Sequence, residues 1–338
     1  MNHTTKLNAA LEPLDARARM FRGEGDLQAL VELHTVCSRA DDEEQVDTLE
    51  QARNWLANYD RTKGDPTTDL VLVEAHGVLI AQGETDWWTN YDGEWLYGVG
   101  GWVHPDWRRK GIGRAVLHWN QARAREVAAS HAAERGQACA YITTGTLDKN
   151  AGAVALYTIE GYAPVRHWYT MLRDLSVPIP DMPLVDAVEV RPVRCDQVRQ
   201  VLDARNEAFR DHWGHHEMTE NDIQNFINWP YFNQDIWVIA WQGDEVVGGC
   251  VNAIVSAENE VLGQKRAWLG AIFVRKPWRK RGIAKATMTK SMRLFKDMGM
   301  TEAALGVDTH NPNGALHLYQ SLGFWVHKSG TRYRKPLA

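Results

Sequence analysis

The chain carries one strand–loop–helix signal twice: Val103-His104-Pro105-Asp106-Trp107-Arg108-Arg109-Lys110-Gly111-Ile112-Gly113 and Val274-Arg275-Lys276-Pro277-Trp278-Arg279-Lys280-Arg281-Gly282-Ile283-Ala284. Each copy follows an apolar run, Trp95 to Val103 and Ala267 to Val274, and leads into a segment of helical composition. A strand that ends in a basic, glycine-containing turn and restarts as a helix aims backbone N–H groups, a helix dipole and cationic side chains at one point. That construction suits a diphosphate. One such loop is weak evidence. Two in equivalent places constrain the chain to a duplicated α/β unit.

A second shared signal lies downstream of each loop. It comprises Asn150, Ala153, Leu156, Tyr157, Gly161 and Tyr162 in the first half, and Asn311, Ala315, Leu318, Tyr319, Gly323 and Phe324 in the second. Together, the Arg-x-x-Gly-x-Gly/Ala loop and the Asn…Ala…Leu-Tyr-x-x-x-Gly-aromatic helix resemble the acetyl-CoA site of the GCN5-related N-acetyltransferase (GNAT) superfamily. The tandem arrangement resembles that superfamily's two-domain, mycothiol-synthase-like branch. The resemblance implies a mixed α/β (α+β) fold of two tandem GNAT-like domains. Each would have a mostly antiparallel sheet, one splayed parallel strand pair and flanking helices.

Length and composition agree with this plan. At 338 residues the chain can hold two domains, each with its own core. Pro178, Pro180 and Pro183 fall in a stretch of little periodicity and mark a linker at residues 176–187, between domains at 1–175 and 188–338. Cys37, Cys139, Cys195 and Cys250 have neither close pairing nor metal-ligand spacing, which points to reduced thiols and a cytoplasmic protein. No apolar run reaches membrane-spanning length, and the polar start lacks a signal-peptide core. A net charge of −5, with the basic residues confined to two short loops, argues against a nucleic-acid partner. A monomer or homodimer is expected.

The order of elements repeats. Residues 1 to about 16 read as a loose lead-in, and Arg19 to Arg22 as a short strand. A helix capped by Asp26 follows, and then a hairpin across His76-Gly77. Asp41 to Glu44 reads as a solvated acidic run. The second half restarts with a strand at Val188 to Arg191, helices at Gln197 to Phe209 and Glu220 to Asn228, and a hairpin across Gly243-Asp244.

By the resemblance, the residues that hold acetyl-CoA are Val103, Arg108, Arg109, Lys110, Gly111, Ile112, Gly113, Arg114 and Asn150 in the first half. In the second they are Ile272, Val274, Arg279, Lys280, Arg281, Gly282, Ile283, Ala284, Lys285 and Asn311. Glycine at 111 and 282 avoids a β-carbon that would crowd a phosphate or forbid the turn. Pantetheine would lie as an added strand between Gly101–Val103 and Ala140–Thr144, or between Ile272–Val274 and Leu305–Asp308. Tyr157 and Tyr319 occupy the place of the tyrosine that protonates the leaving thiolate. Asn150 stands seven residues before its tyrosine and Asn311 eight, so the two asparagines are about 100° apart on the helix.

The general base is not set by these motifs. Where the mycothiol-synthase branch places a strand glutamate, this chain has Trp268, and Tyr97 in the first half. Glu258, Glu260, Asp308 and His310, or Glu94 and Asp86, are candidates, as is a water relay. The His-rich segment Asp211 to Glu217 lacks zinc-ligand spacing, and no metal is expected. It reads instead as a loop over the acceptor site, bearing His212, His215, His216 and Glu217. The 15 tryptophans read first as packing, and second as the walls of an acceptor cleft.

The expected activity is transfer of an acetyl group from acetyl-CoA to the primary amine of a small molecule, by direct attack on the thioester. The C-terminal half would carry the main activity. A non-catalytic acyl-CoA-binding module and a protein N-acetyltransferase are the alternatives.

Overall fold

The computed structural model describes residues 3–61, 64–213, 216–310 and 314–337. It forms two compact units that do not follow the linear division at residues 175 and 188. One holds the chain up to Arg166 together with the residues from Gly330 on; the other holds His167–Ser329. Ladder hydrogen bonds, rather than order along the chain, decide where a strand belongs.

The N-terminal unit runs α1 (His3–Leu11), β1 (Ala16–Met20), α2 (Leu27–Ala40), α3 (Leu49–Ala57), α4 (Pro66–Asp69), β2 (Leu70–Ala75), β3 (Val78–Thr89), β4 (Trp95–Val103), α5 (Ile112–Ser130), α6 (Ala132–Arg135), β5 (Ala140–Leu147) and α7 (Ala151–Ile159). Strands β1 to β4 pair antiparallel in sequence order. The far edge of β5 is closed antiparallel by Gly330–Pro336 of the C-terminal strand. The lead-in expected to be loose is helical from His3, because Leu7 and Leu11 bury against Ile112, Val116 and Trp119 of α5. The β2–β3 turn at His76-Gly77 has both residues at positive φ, 51° and 78°, which matches the twist of a tight hairpin.

Strand β6 (Ala163–Asp174) passes into the C-terminal unit, where it pairs antiparallel with a later strand. That unit continues with β7 (Glu189–Arg191), α8 (Val198–Phe209), α9 (Glu220–Ile227), β8 (Val238–Gln242), β9 (Glu245–Ala253), α10 (Ser256–Leu262), β10 (Arg266–Val274), α11 (Ile283–Asp297), β11 (Glu302–Asp308) and α12 (Ala315–Ser321). Its sheet order is β7-β8-β9-β10-β11-β6. The proline-bearing stretch has no helix or strand, yet it is packed rather than free. Ile179 lies against the core of Met288, Met292 and Phe295, and Leu184 and Val185 lie against Ile283.

Among the described residues each unit contains one parallel pair, and each pair soon separates. Strands β4 and β5 run together only from Trp95↔Ala140 to Gly98↔Thr143, and β10 and β11 only from Arg266↔Glu302 to Trp268↔Ala304. Beyond those points the inner edges diverge into a V. The C-terminal V has a feature the other lacks. The β9–β10 register shifts between Leu269 and Ala271, leaving Gly270 as an extra residue, whereas the β3–β4 register runs unshifted. A bulge of this kind bends its strand and re-aims its backbone groups. Among the described residues, no helix is long and apolar enough to cross a membrane.

Candidate active site

At the mouth of each V the chain turns into its longest helix through a repeated backbone conformation. Arg109 and Lys280 both have φ 63°, and Gly111 and Gly282 have φ 89° and 82°. Two left-handed residues flanking one position make a concave run of N–H groups. Among the described residues, the first amide after Arg108 to find a protein acceptor is that of Ala115, bonded to Gly111 O at 3.1 Å. After Arg279 it is that of Ala286, bonded to Gly282 O at 3.0 Å. The intervening amides, with the dipoles of α5 and α11 behind them, form two cradles of the size and sign of a phosphate group.

A β-carbon on Gly111 or Gly282 would meet nothing within 4 Å, so it is the positive φ, not crowding by protein, that requires glycine. A β-carbon on Gly113 would sit 3.7 Å from Leu156 and Val103, an ordinary contact, and the counterpart there is alanine, Ala284.

The basic side chains divide by task. Arg108 and Arg279 do not point outward. Arg108 Nε donates to Val103 O at 3.0 Å, and its other nitrogens bond Asp41 at 2.6 and 2.9 Å. Arg279 Nε donates to Val274 O at 3.2 Å, Nη1 to Asp211 at 2.7 Å and Nη2 to Ala208 O at 2.9 Å. Each arginine therefore staples its loop to the strand end and to the helix–helix connection before it. Lys110 and Arg281 rest on Trp107 and Trp278, 4.6 and 4.8 Å from the ring centres. Arg114 pairs with Glu160 at 3.0 Å. Arg109 and Lys280 are exposed, and Lys285 is half-buried.

Asp41 therefore belongs to the site rather than to a solvated run; its side chain is only 10% exposed. It also accepts from Asn150 Nδ2 at 3.2 Å, while Asn150 Oδ1 caps α7 through Ala153 N at 3.1 Å. Asp41 and Asp211 stand at matching places just after α2 and α8. The acidic run of the first half and the His-rich loop of the second are thus the same structural part. Asn311 and His215 lie outside the described residues.

The two tyrosines differ. Tyr157 is half-buried on α7, near enough to Thr144, the residue where β5 leaves β4, for that side chain to favour its ionised form against the larger effect of burial. Tyr319 is 7% exposed on α12, and its hydroxyl has no partner among the described residues. At the matching place β11 offers Ala304 and Leu305, which have no hydroxyl. Burial pushes both phenols upward, so both stay protonated at neutral pH and able to donate.

The clefts beside the two Vs differ most. In the C-terminal unit a cavity of ≈ 350 Å³ is walled by Met218, Phe226, Trp229, Trp268 and the bulge residues Gly270 and Ala271, with Arg205 and Glu258 as its charged members. Helix α10, which no sequence signal announced, carries Glu258 into that wall. Trp237, by contrast, is core at 4% exposure. None of His212, His216 and Glu217 lines the cavity. His212 packs on Phe209 at 4.4 Å, and burial and the nearby Arg279 charge hold its pKa below the ordinary value. Among the other candidate bases, Glu94 is taken up by Asn90 and Arg334, and Glu260 and His310 are exposed.

In the N-terminal unit the corresponding strand face carries Glu84 and Asp86 opposite Gly100 and Gly98. Glu84 was not among the candidates. The signal for it was the alternation Gln82, Glu84, Asp86 facing a glycine-rich strand.

A splayed parallel pair closed by an amide-lined helix start is the architecture of a GNAT domain, and here it occurs twice. The family model for the acetyltransferase (GNAT) family matches residues 27–162 and again 198–324, and the chain belongs to that family. It is an acetyltransferase with two such domains. Similar curated proteins include the mycothiol acetyltransferase of Salinispora arenicola, 27% identical over 277 residues that cover 80% of this chain and 82% of that protein. The mycothiol acetyltransferase of Salinispora tropica is 29% identical over 271 residues, covering 77% and 78%. Among solved structures, a GCN5-related N-acetyltransferase from Sphaerobacter thermophilus aligns with a TM-score of 0.69 at 24% identity, over 96% of both chains. A tandem GNAT protein from the clavulanic acid biosynthesis pathway aligns at 0.66 and 13% identity, over 96% and 99%. At such identities these structures show the fold alone.

Proposed function

We propose that this chain transfers an acetyl group from acetyl-CoA to the primary amine of a small molecule, chiefly in its C-terminal unit. The observation that carries the reading is the bulge at Gly270, which joins the coenzyme V to the aromatic-walled cavity. The GNAT fold implies acetyl-CoA, and the residues present fit it. Free amides from Arg109 to Arg114 and from Lys280 to Lys285 would hold the diphosphate, with Arg109 and Lys280 adding charge. The free inner edges of the V would bond the pantetheine arm as a strand. When bound, acetyl-CoA supplies an acyl group already activated as a thioester.

The protein's part is positioning and proton handling. The backbone N–H groups re-aimed by the bulge face the place where negative charge develops on the carbonyl oxygen. The amine nitrogen forms the new C–N bond, the C–S bond breaks, and Tyr319 gives its proton to the departing thiolate. Glu258, in the cavity wall, takes the proton the amine loses. A cavity of ≈ 350 Å³ suits a small acceptor with an apolar face better than a protein chain. The mycothiol acetyltransferase relatives act on a small molecule by name, which supports the same reading.

The test is a panel of small amines incubated with acetyl-CoA and read by thiol release. Thiol release should depend on an amine with an apolar face. Trp229→Ala should raise the acceptor KM by about tenfold while leaving the acetyl-CoA KM in place. Release that no amine stimulates would return the chain to a binding module.

A further inference from the structure

We propose that the C-terminal cavity has a carboxylate-binding end at Arg205, so that its acceptor is an amino acid with an apolar side chain rather than a simple amine. This choice of acceptor rests on the activity proposed for that cavity. The wall has two charged side chains, and they come from different helices: Arg205 from α8 and Glu258 from α10. Both are half-buried. Most of the remaining wall is apolar, with Leu202, Met218, Phe226, Trp229 and Trp268 as its large members. A cavity that presents one cationic group, one anionic group and an aromatic surface is complementary to a zwitterion carrying an apolar side chain.

Both charged groups are held by their neighbours. The guanidinium carbon of Arg205 lies 4.9 Å from the centre of the Phe209 ring. Its Nη1 donates to Asn206 Oδ1 at 3.3 Å. Asn206 is 3% exposed and bonds both the N–H and the carbonyl of Met218 at 3.3 Å, so the same amide fixes a second residue of the wall. Glu258 is set in a similar way. The next residue, Asn259, ties α10 to Arg266 at the start of β10 through bonds of 2.9 and 3.0 Å. A guanidinium whose position is already set loses little freedom on binding, and its planar fork matches a carboxylate.

Desolvation decides between the two kinds of acceptor. A simple apolar amine would satisfy Glu258 but lay hydrocarbon against Arg205, stripping water from a fixed charge and returning no hydrogen bond. A carboxylate replaces the water it displaces with charge-assisted bonds. The reaction is unchanged: the α-amino nitrogen forms the new C–N bond, and the carboxylate takes no part in bond making. The N-terminal unit has neither charge. Arg205 stands six residues before Asp211, and the residue six before Asp41 is Thr35, whose hydroxyl donates to Val31 O at 2.8 Å. Its strands β3 and β4 are joined through residues 90–94, with no helix to carry a counterpart of Glu258. The two charges therefore occur in the unit that also has the bulged strand and the aromatic wall.

The experiment is thiol-release kinetics on the full chain at saturating acetyl-CoA, with L-phenylalanine, L-phenylalaninamide and 2-phenylethylamine as probes. The free amino acid should show a kcat/KM about tenfold or more above the other two. Arg205→Gln should bring that ratio close to one, mainly through the KM for L-phenylalanine. Arg199→Gln, an exposed change on the same helix, should keep the wild-type ratio. A purely structural role for Arg205 would lower all three probes together and leave the ratio in place. Thermal melts confirm that each variant is folded. A wild-type ratio of one or less overturns the proposal, as does a ratio that survives Arg205→Gln. If 2-phenylethylamine turns over with no preference for L-phenylalanine, the acceptor class falls and the proposed activity stands. If none of the three turns over, the acceptor class falls as well, and the wider amine panel decides the activity.

Discussion

The two units of this chain share a loop in backbone conformation and stapling and differ in what surrounds it. In both, an arginine ties the loop to a strand-end carbonyl and an aspartate, a left-handed residue and a left-handed glycine follow, and a long helix starts. Beside one loop the groove is aromatic, its strand bulged and its tyrosine hydroxyl unengaged. Beside the other the groove is acidic, the strand regular and the tyrosine half-buried near Thr144. Duplication keeps the amide-lined loop in both copies. What diverges is the groove beside it, apolar in one unit and acidic in the other.

That contrast can be broken most sharply at the tyrosines. Tyr319→Phe should lower turnover by a factor on the order of 10² or more with little change in the acetyl-CoA KM, since the hydroxyl acts only as the thiolate forms. Tyr157→Phe should leave the same turnover near wild type. Steady-state kinetics on both variants decides it, and the reverse pattern would move the reaction to the N-terminal unit.

A smaller effect separates the two staples. Arg108→Ala strands the nearly buried Asp41 and should cost about 2–3 kcal/mol, whereas Arg279→Ala leaves the half-exposed Asp211 and should cost about 1 kcal/mol. Urea unfolding of each variant measures the difference, and equal midpoints would show that burial of the aspartate does not set the cost.

At the loop itself, Gly111→Ala should lose about 1 kcal/mol because its φ is 89°, while Gly113→Ala should be close to neutral, as Ala284 in the other copy already shows. Thermal melts compare them, and equal losses would undo the argument from φ.

The smallest effect is a pH dependence confined to the acidic groove. A carboxyl whose folded pKa is raised opposes folding when ionised, so its penalty is present at neutral pH. The penalty fades as pH falls through the raised value toward the ordinary carboxylate range. Glu84→Gln should therefore raise Tm slightly at pH 7, and the gain should shrink as the pH is lowered. A gain that persists unchanged at acid pH would show that charge is not its source.

The loops, the motif helices and the duplicated plan were legible because they are local: a basic turn, a glycine and a period of helix sit in adjacent residues. What was not legible was non-local. That Gly330–Pro336 closes the N-terminal sheet depends on pairing with β5, which is far away in sequence. Asp41 looked solvated because its partners, Arg108 and Asn150, are remote in the chain. The aromatic cavity was legible only as a second reading of the tryptophans, since its wall is assembled from α8, α9, α10, β9 and the bulged β10. Glu84 was hidden because two acidic residues on a strand look like a solvent face until the opposing glycines are known.

The central claim is that the two amide-lined loops are equivalent coenzyme cradles. Calorimetry with acetyl-CoA tests it directly. The wild-type chain should bind at two sites, Gly111→Glu and Gly282→Glu should each retain one, and the double variant should retain none, because a carboxylate is then held at the mouth of each cradle. Wild-type affinity and stoichiometry in the double variant would contradict the claim.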